Sequence, residues 1–88
     1  MPIEQSTSVM RGQIREFIRE VADSKGVRSF TDQEPLMETG IVDSLSIFRL
    51  VSFLEETFRI RIGDEEITNE NLHSVETIEQ FVLSKQRK

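Results

Sequence analysis

The chain contains no cysteine, which removes disulfide scaffolds, thiolate zinc sites and cysteine nucleophiles together and leaves the redox compartment undecided. No apolar run approaches the roughly 18 residues that a membrane span requires. The opening MPIEQSTSVMRG has no apolar signal-peptide core, so the expectation is a cytoplasmic protein with no membrane partner. Positive charge is also scarce, with 11 Lys and Arg against 16 Asp and Glu and a formal net charge of -5. Binding to a phosphate backbone needs a cationic face, so nucleic acid is not an expected partner and basic protein surfaces are favoured. P-loop, dinucleotide and histidine-pair metal motifs are missing as well. Asp64-Glu65-Glu66 lacks the alternating ligands, central glycine and terminal glutamate of an EF-hand, so it reads as a solvated turn and no metal site is expected.

What is present fits one small domain over residues 1–88: 36% of the residues are hydrophobic, enough for a single core. Met10, Ile14, Phe17, Ile18 and Val21 fall on one arc of a helical wheel while Arg11, Arg15, Glu16, Arg19 and Glu20 fall outside it, which predicts an amphipathic helix capped by Thr7 or Ser8 and ending near residues 22–25. Residues 22–42 show no sustained period and are punctuated by Gly26, Pro35 and Gly40. They read as a long loop anchored by Val27, Phe30, Leu36, Met37 and Ile41, and a loop of that length points to function or to a short hidden helix. Asp43 or Ser44 caps a second helix with the stripe Ile47, Leu50, Val51, Leu54 and Phe58. Ile60 and Ile62 anchor a loop, residues 68–72 suggest one short helical turn, and Ser74 caps a last helix striped by Val75, Ile78, Phe81 and Val82. Lys85, Arg87 and Lys88 suit its C-terminus. The fold class is therefore all-α, three main helices plus one short one, with a long loop between helices one and two. Residues 1–6 are expected to form a flexible tail and 85–88 a frayed end.

The sharpest local feature is Gly40-Ile41-Val42-Asp43-Ser44-Leu45, which places a hydroxyl at a helix N-terminus directly after a loop. Unpaired N–H groups and the helix dipole favour an anion there by about 0.3–1 kcal/mol, so a phosphorylated or phosphodiester-linked Ser44 would be stabilised. The bland alternative is a plain cap and a turn glycine. A triad of Ser44, His73 and an acid would need a strand–turn–helix elbow and an oxyanion pocket, for which so small a helical bundle has no room. On the second helix Leu45 and Phe48 lie off the core stripe and flank Ser44, with Arg49, Ser52 and Glu56 on the same outer side, which reads as a docking face. Acidity is concentrated around it: residues 32–76 hold 11 acidic and 3 basic side chains, a net -8, against +1 for residues 1–31 and +2 for 77–88. Such a field steers basic surfaces towards Ser44 and also favours solubility.

The hexapeptide resembles the prosthetic-group attachment motif of the acyl carrier and peptidyl carrier protein family. The likeness extends over the first helix, the long loop, the run from Leu50 to Phe58, the Ile60-x-Ile62 exit and the capped last helix. The resemblance implies a four-helix acyl-carrier bundle with no catalysis of its own. Ser44 would be esterified to 4'-phosphopantetheine from coenzyme A by a separate magnesium-dependent phosphopantetheinyl transferase. The arm's thiol would then hold an acyl or aminoacyl group as a thioester, which explains how a chain without cysteine can take part in thiol chemistry. Asp43 would help place the transferase's metal or cap the helix. Gly40 would let the loop turn and Leu45 would complete the motif. Partners would be the transferase, an acyl- or aminoacyl-loading enzyme and a downstream synthase or transferase acting on a monomer.

Family members serving fatty acid synthesis commonly carry acids where this chain has Ser46 and Arg49, and a proline where it has Gly63. These departures point to a dedicated lipid, polyketide or nonribosomal peptide pathway rather than housekeeping fatty acid synthesis, with Arg49 as a specificity residue. The competing expectation is a helical adaptor that binds partners through Leu45 and Phe48 and is never modified.

Overall fold

The computed structural model describes the backbone of residues 2–87 and the side chains of residues 9–87. Helix α1 spans Pro2–Ser24, α2 spans Ser46–Phe58 and α3 spans Val75–Gln86, with a one-turn 3-10 helix at Asp64–Glu66 between the last two. The described residues contain no strand, and the all-α class stands. Met1 and Lys88, on which the expected tail and frayed end partly fall, lie outside the described residues. Helix α1 begins earlier than its predicted cap, so Thr7 and Ser8 lie within it.

The predicted stripes are the core. Met10, Ile14, Ile18 and Val21 of α1, Ile47, Leu50, Val51 and Leu54 of α2, and Val75, Ile78 and Val82 of α3 are all buried. Each such side chain contributes about 1.5–3 kcal/mol on leaving water. The aromatic members of the stripes sit at the margin of this core: Phe17 stacks on Phe53 at 4.6 Å and Phe58 meets Phe53 edge-on at 6.2 Å. Helix α1 packs against both other helices.

The long connection contains no hidden helix. It is a chain of turns nailed down by apolar side chains and backbone bonds. Leu36, Ile41 and Val42 are buried. The Leu36 N–H donates to His73 O at 2.9 Å, the Val42 N–H to Leu36 O at 3.0 Å, and the Glu76 N–H to Asp32 O at 3.0 Å. His73, half-buried, therefore serves the fold through its carbonyl, tying the loop to the entry of α3.

The short helical turn expected at 68–72 is present, and the structure adds a second one that the sequence did not announce. The expected turn closes with the Leu72 N–H on Thr68 O at 3.1 Å, while the second is the Asp64–Glu66 segment that the sequence reading took for a solvated turn. One cause is local and one is not: Glu66 Oε1 accepts the Gly63 N–H at 2.9 Å and also receives Lys85 Nζ at 2.8 Å, so the turn is capped and tied to α3. Ser74 does cap α3, accepting the Thr77 N–H at 3.2 Å.

One polar cluster sits inside the α1–α3 interface. Arg11 donates to Glu79 Oε1 through Nε at 2.9 Å and Nη2 at 2.6 Å, and Arg15 donates to both Asp32 oxygens at 3.0 and 2.7 Å. Arg11 Nη1 joins the two pairs at 3.4 Å from Asp32. Glu79 is only 2% exposed, and its Oε2 has no hydrogen-bond partner. The Arg15 guanidinium holds the Asp32 carboxyl below the usual carboxylate range.

Candidate functional site

The Gly40–Leu45 segment delivers Ser44 to the surface by alternating what it buries. Ile41 and Val42 are sunk in the core at 1% and 2% exposure, so the three residues after them are turned outward. Gly40 adopts a left-handed backbone with φ +83°, a conformation that L side chains rarely adopt. A Cβ there would meet no atom within 4 Å, so the requirement for glycine is conformational rather than spatial.

Asp43 starts α2. Its carbonyl accepts the first helical bond, from the Ile47 N–H at 2.9 Å, and its carboxylate takes the orphan N–H groups. Oδ1 accepts from the Leu45 N–H at 3.0 Å, the Ser46 N–H at 2.9 Å and the Ser46 hydroxyl at 3.0 Å. Ser46 Oγ in turn accepts the Asp43 N–H at 2.9 Å, which closes a reciprocal capping box with serine in the place usually held by Glu or Gln. The other oxygen, Oδ2, is held by Lys25 Nζ, which also lies 3.3 Å from Gly40 O. The Lys25 ammonium first, and then the Ser46 and Leu45 donors, keep the Asp43 carboxyl well below the usual carboxylate range. Of the two caps the sequence offers, Asp43 or Ser44, it is therefore Asp43 that caps α2.

Ser44 is exposed, and among the described residues its hydroxyl makes no hydrogen bond, to His73 or to any other group. Among the described residues no base contacts it. Beside it lies an open cleft of about 430 Å³ lined by Met37, Val42, Asp43, Ser44, Ile47, Ile67 and Asn69. The hydroxyl is turned outward beside an open, mostly apolar cleft.

The other predicted site residues fall around this point. Leu45 is 79% and Phe48 62% exposed, large apolar side chains standing in water beside Ser44. Arg49, Ser52 and Glu56 are exposed on the same helix, and Arg49 makes no ion pair among the described residues. Two contributors went unnoticed in the sequence. Lys25 is 18 residues from Asp43 and carries no local signal, whereas Ser46 is the fourth residue of an Asp-x-x-Ser capping pattern that could have been read. Among the described residues no three His, Cys, Asp or Glu side chains converge as a metal site, and no helix is long and apolar enough to cross a membrane.

The family described as "Phosphopantetheine attachment site" matches residues 12–82, which includes the whole of this motif. The probable acyl carrier protein PigG of Serratia sp. (strain ATCC 39006) is 42% identical over 50 residues, which make up 57% of this chain and 58% of the length of that relative. No solved structure matches the chain.

Proposed function

The chain belongs to the phosphopantetheine attachment site family, whose domain carries a covalently bound 4'-phosphopantetheine and is not itself catalytic, and from that premise we propose that Ser44 is the attachment point. The observation that carries this reading is the presentation of Ser44: an unpartnered, exposed hydroxyl one residue after the Asp43 cap, at the start of α2. In the attachment step a transferase's base takes the Ser44 proton while the oxygen bonds to the phosphorus nearer the pantetheine. The pyrophosphate bond of coenzyme A breaks and 3',5'-adenosine bisphosphate leaves. Once bound, the group supplies a thiol that holds acyl or aminoacyl cargo as a thioester. The protein's own share is to hold Ser44 outward, keep its turn rigid through the Asp43–Ser46 box, and offer Leu45 and Phe48 as an apolar anchor for partner enzymes.

The finer reading is a carrier dedicated to one biosynthetic pathway. Ser46 is 6% exposed and committed to the cap, so that position offers partners no charge. The next outward position with charge is the unpaired Arg49. A basic partner surface fitted to an acid at this point would meet repulsion, and an enzyme with a complementary acid would be selected. Replacing Arg49 with Glu is expected to weaken the cognate loading enzyme and leave the fold intact. Unchanged affinity in that variant, with affinity lost on Leu45→Ala and Phe48→Ala, would show that charge is not read.

Attachment is tested by incubating the chain with coenzyme A, magnesium and a promiscuous phosphopantetheinyl transferase and comparing intact masses. Wild type should gain one phosphopantetheine and Ser44→Ala none. A folded wild type that gains nothing from several transferases, while still binding a partner through Leu45 and Phe48, would establish the unmodified adaptor instead.

A further inference from the structure

Asp43 divides its two oxygens between different tasks. Oδ1 is saturated by three donors of its own helix start, and Oδ2 points outward to Lys25. Lys25 reaches it because α1 ends in a tight turn immediately before the loop. Ala22 O accepts both the Lys25 N–H at 3.0 Å and the Val27 N–H at 2.9 Å, and Gly26 supplies the left-handed residue at φ +80°. The ammonium thereby bonds two points of the motif, Gly40 O at its start and Asp43, the residue before Ser44. The first turn of α2 has no acidic side chain of its own, and the carboxylate adjacent in sequence to Ser44, that of Asp43, is already held by Lys25.

We propose that Lys25 is a positioning residue of the attachment site: its ammonium holds Asp43 and the Gly40 turn before modification, and is shared with the phosphodiester once Ser44 carries it. This rests on the reading that Ser44 is modified. The physical requirement is simple. Attaching a phosphodiester beside a carboxylate places two like charges at one helix start, and a cation already bonded to that carboxylate can screen both. The Lys25 side chain is about one-third exposed and Asp43 nearly half, so the ammonium can be shared without unburying anything, and the pairing weakens as salt rises. Lys25 also links the end of α1 to the motif, so the position of the phosphate becomes coupled to the fold through a residue distant in sequence.

The test uses full-length wild type, Lys25→Met and Lys25→Arg, each loaded with phosphopantetheine and verified by mass. At low salt the phosphorus resonance of the phosphodiester should differ between wild type and Lys25→Met. Lys25→Arg should restore it, and added salt should move wild type towards the Lys25→Met value. The melting curves of the unmodified forms give the purely structural effect of each substitution. An identical phosphorus resonance in wild type and Lys25→Met at low salt overturns the proposal, whatever the melting curves show. A folded Lys25→Met chain that loads poorly, while Lys25→Arg loads normally, supports the holding of Asp43 and the Gly40 turn before modification, and the fraction that does load still serves the phosphorus comparison. Failure of wild type itself to load refutes the attachment reading and is distinguishable from both.

Discussion

Asp32 and Asp43 are two carboxylates in one loop, both held below the ordinary range by cations, yet they serve opposite ends. Asp32 is 19% exposed and gripped by Arg15 and Arg11, and through Arg11 it joins the buried Glu79. Its carbonyl also receives the Glu76 N–H, so it staples the loop to α1 and α3 together. Asp43 is 45% exposed and shares its charge between one lysine and the start of its own helix. The partly buried cluster cannot rearrange without stranding the buried Glu79, whereas the Lys25–Asp43 pair holds no buried charge and can be opened by an incoming partner. Depressed acidity alone does not mark a site. What marks it is a depressed acid whose counter-ion can be displaced and whose neighbour is a free hydroxyl.

The comparison breaks most severely at Arg11. Removing it by Arg11→Ala leaves Glu79 buried with both oxygens unpaired, a change expected to cost about 3 kcal/mol and to lower the melting temperature by roughly 15 °C in a domain of this size. The double change Arg11→Met with Glu79→Met should recover most of that loss, because two apolar side chains strand no charge. Thermal melts of the three proteins check both statements.

Acid separates the two carboxylates next. A group whose folded-state pKa is lowered contributes stability that is present above its unfolded value near 4 and lost as pH falls through the folded one. The urea midpoint should therefore drop as pH is lowered below about 4, and Asp32→Asn should flatten that drop. Added salt should reduce the contribution of exposed Asp43 more than that of Asp32. A Ser46→Ala substitution removes one half of the capping box and is expected to cost about 1 kcal/mol, visible as a small shift of the urea midpoint. Smallest of all, Leu45→Ala and Phe48→Ala should change stability by less than about 0.5 kcal/mol, since both side chains already stand in water. Their effect should appear in partner affinity instead.

What could be read from the chain in one dimension follows from how local each interaction is. Helical period exposed the three stripes, and Ser74 announced α3, because these depend on residues within a turn of one another. The Gly40-x-x-Asp43-Ser44 motif was legible for the same reason. Lys25 and Asp43 are joined only by the return path of the loop, as are Arg11 and Glu79, which lie 68 residues apart. Nothing in the residues next to Glu79 in sequence reveals that it is buried. The turn at 68–72 was legible because Thr68, Asn69 and Asn71 are strong turn formers, whereas the one at Asp64–Glu66 is held by Glu66 acting on Gly63 and Lys85. The pattern around 68–72 is local, and the Lys85 tie is not.

The most direct measurement is site-resolved: fragmentation of the transferase-treated chain across residues 43–46 by mass spectrometry. The account predicts that the added phosphopantetheine resides on Ser44 alone, with buried Ser46 unmodified. Modification found on another residue, or retained in Ser44→Ala, would contradict it.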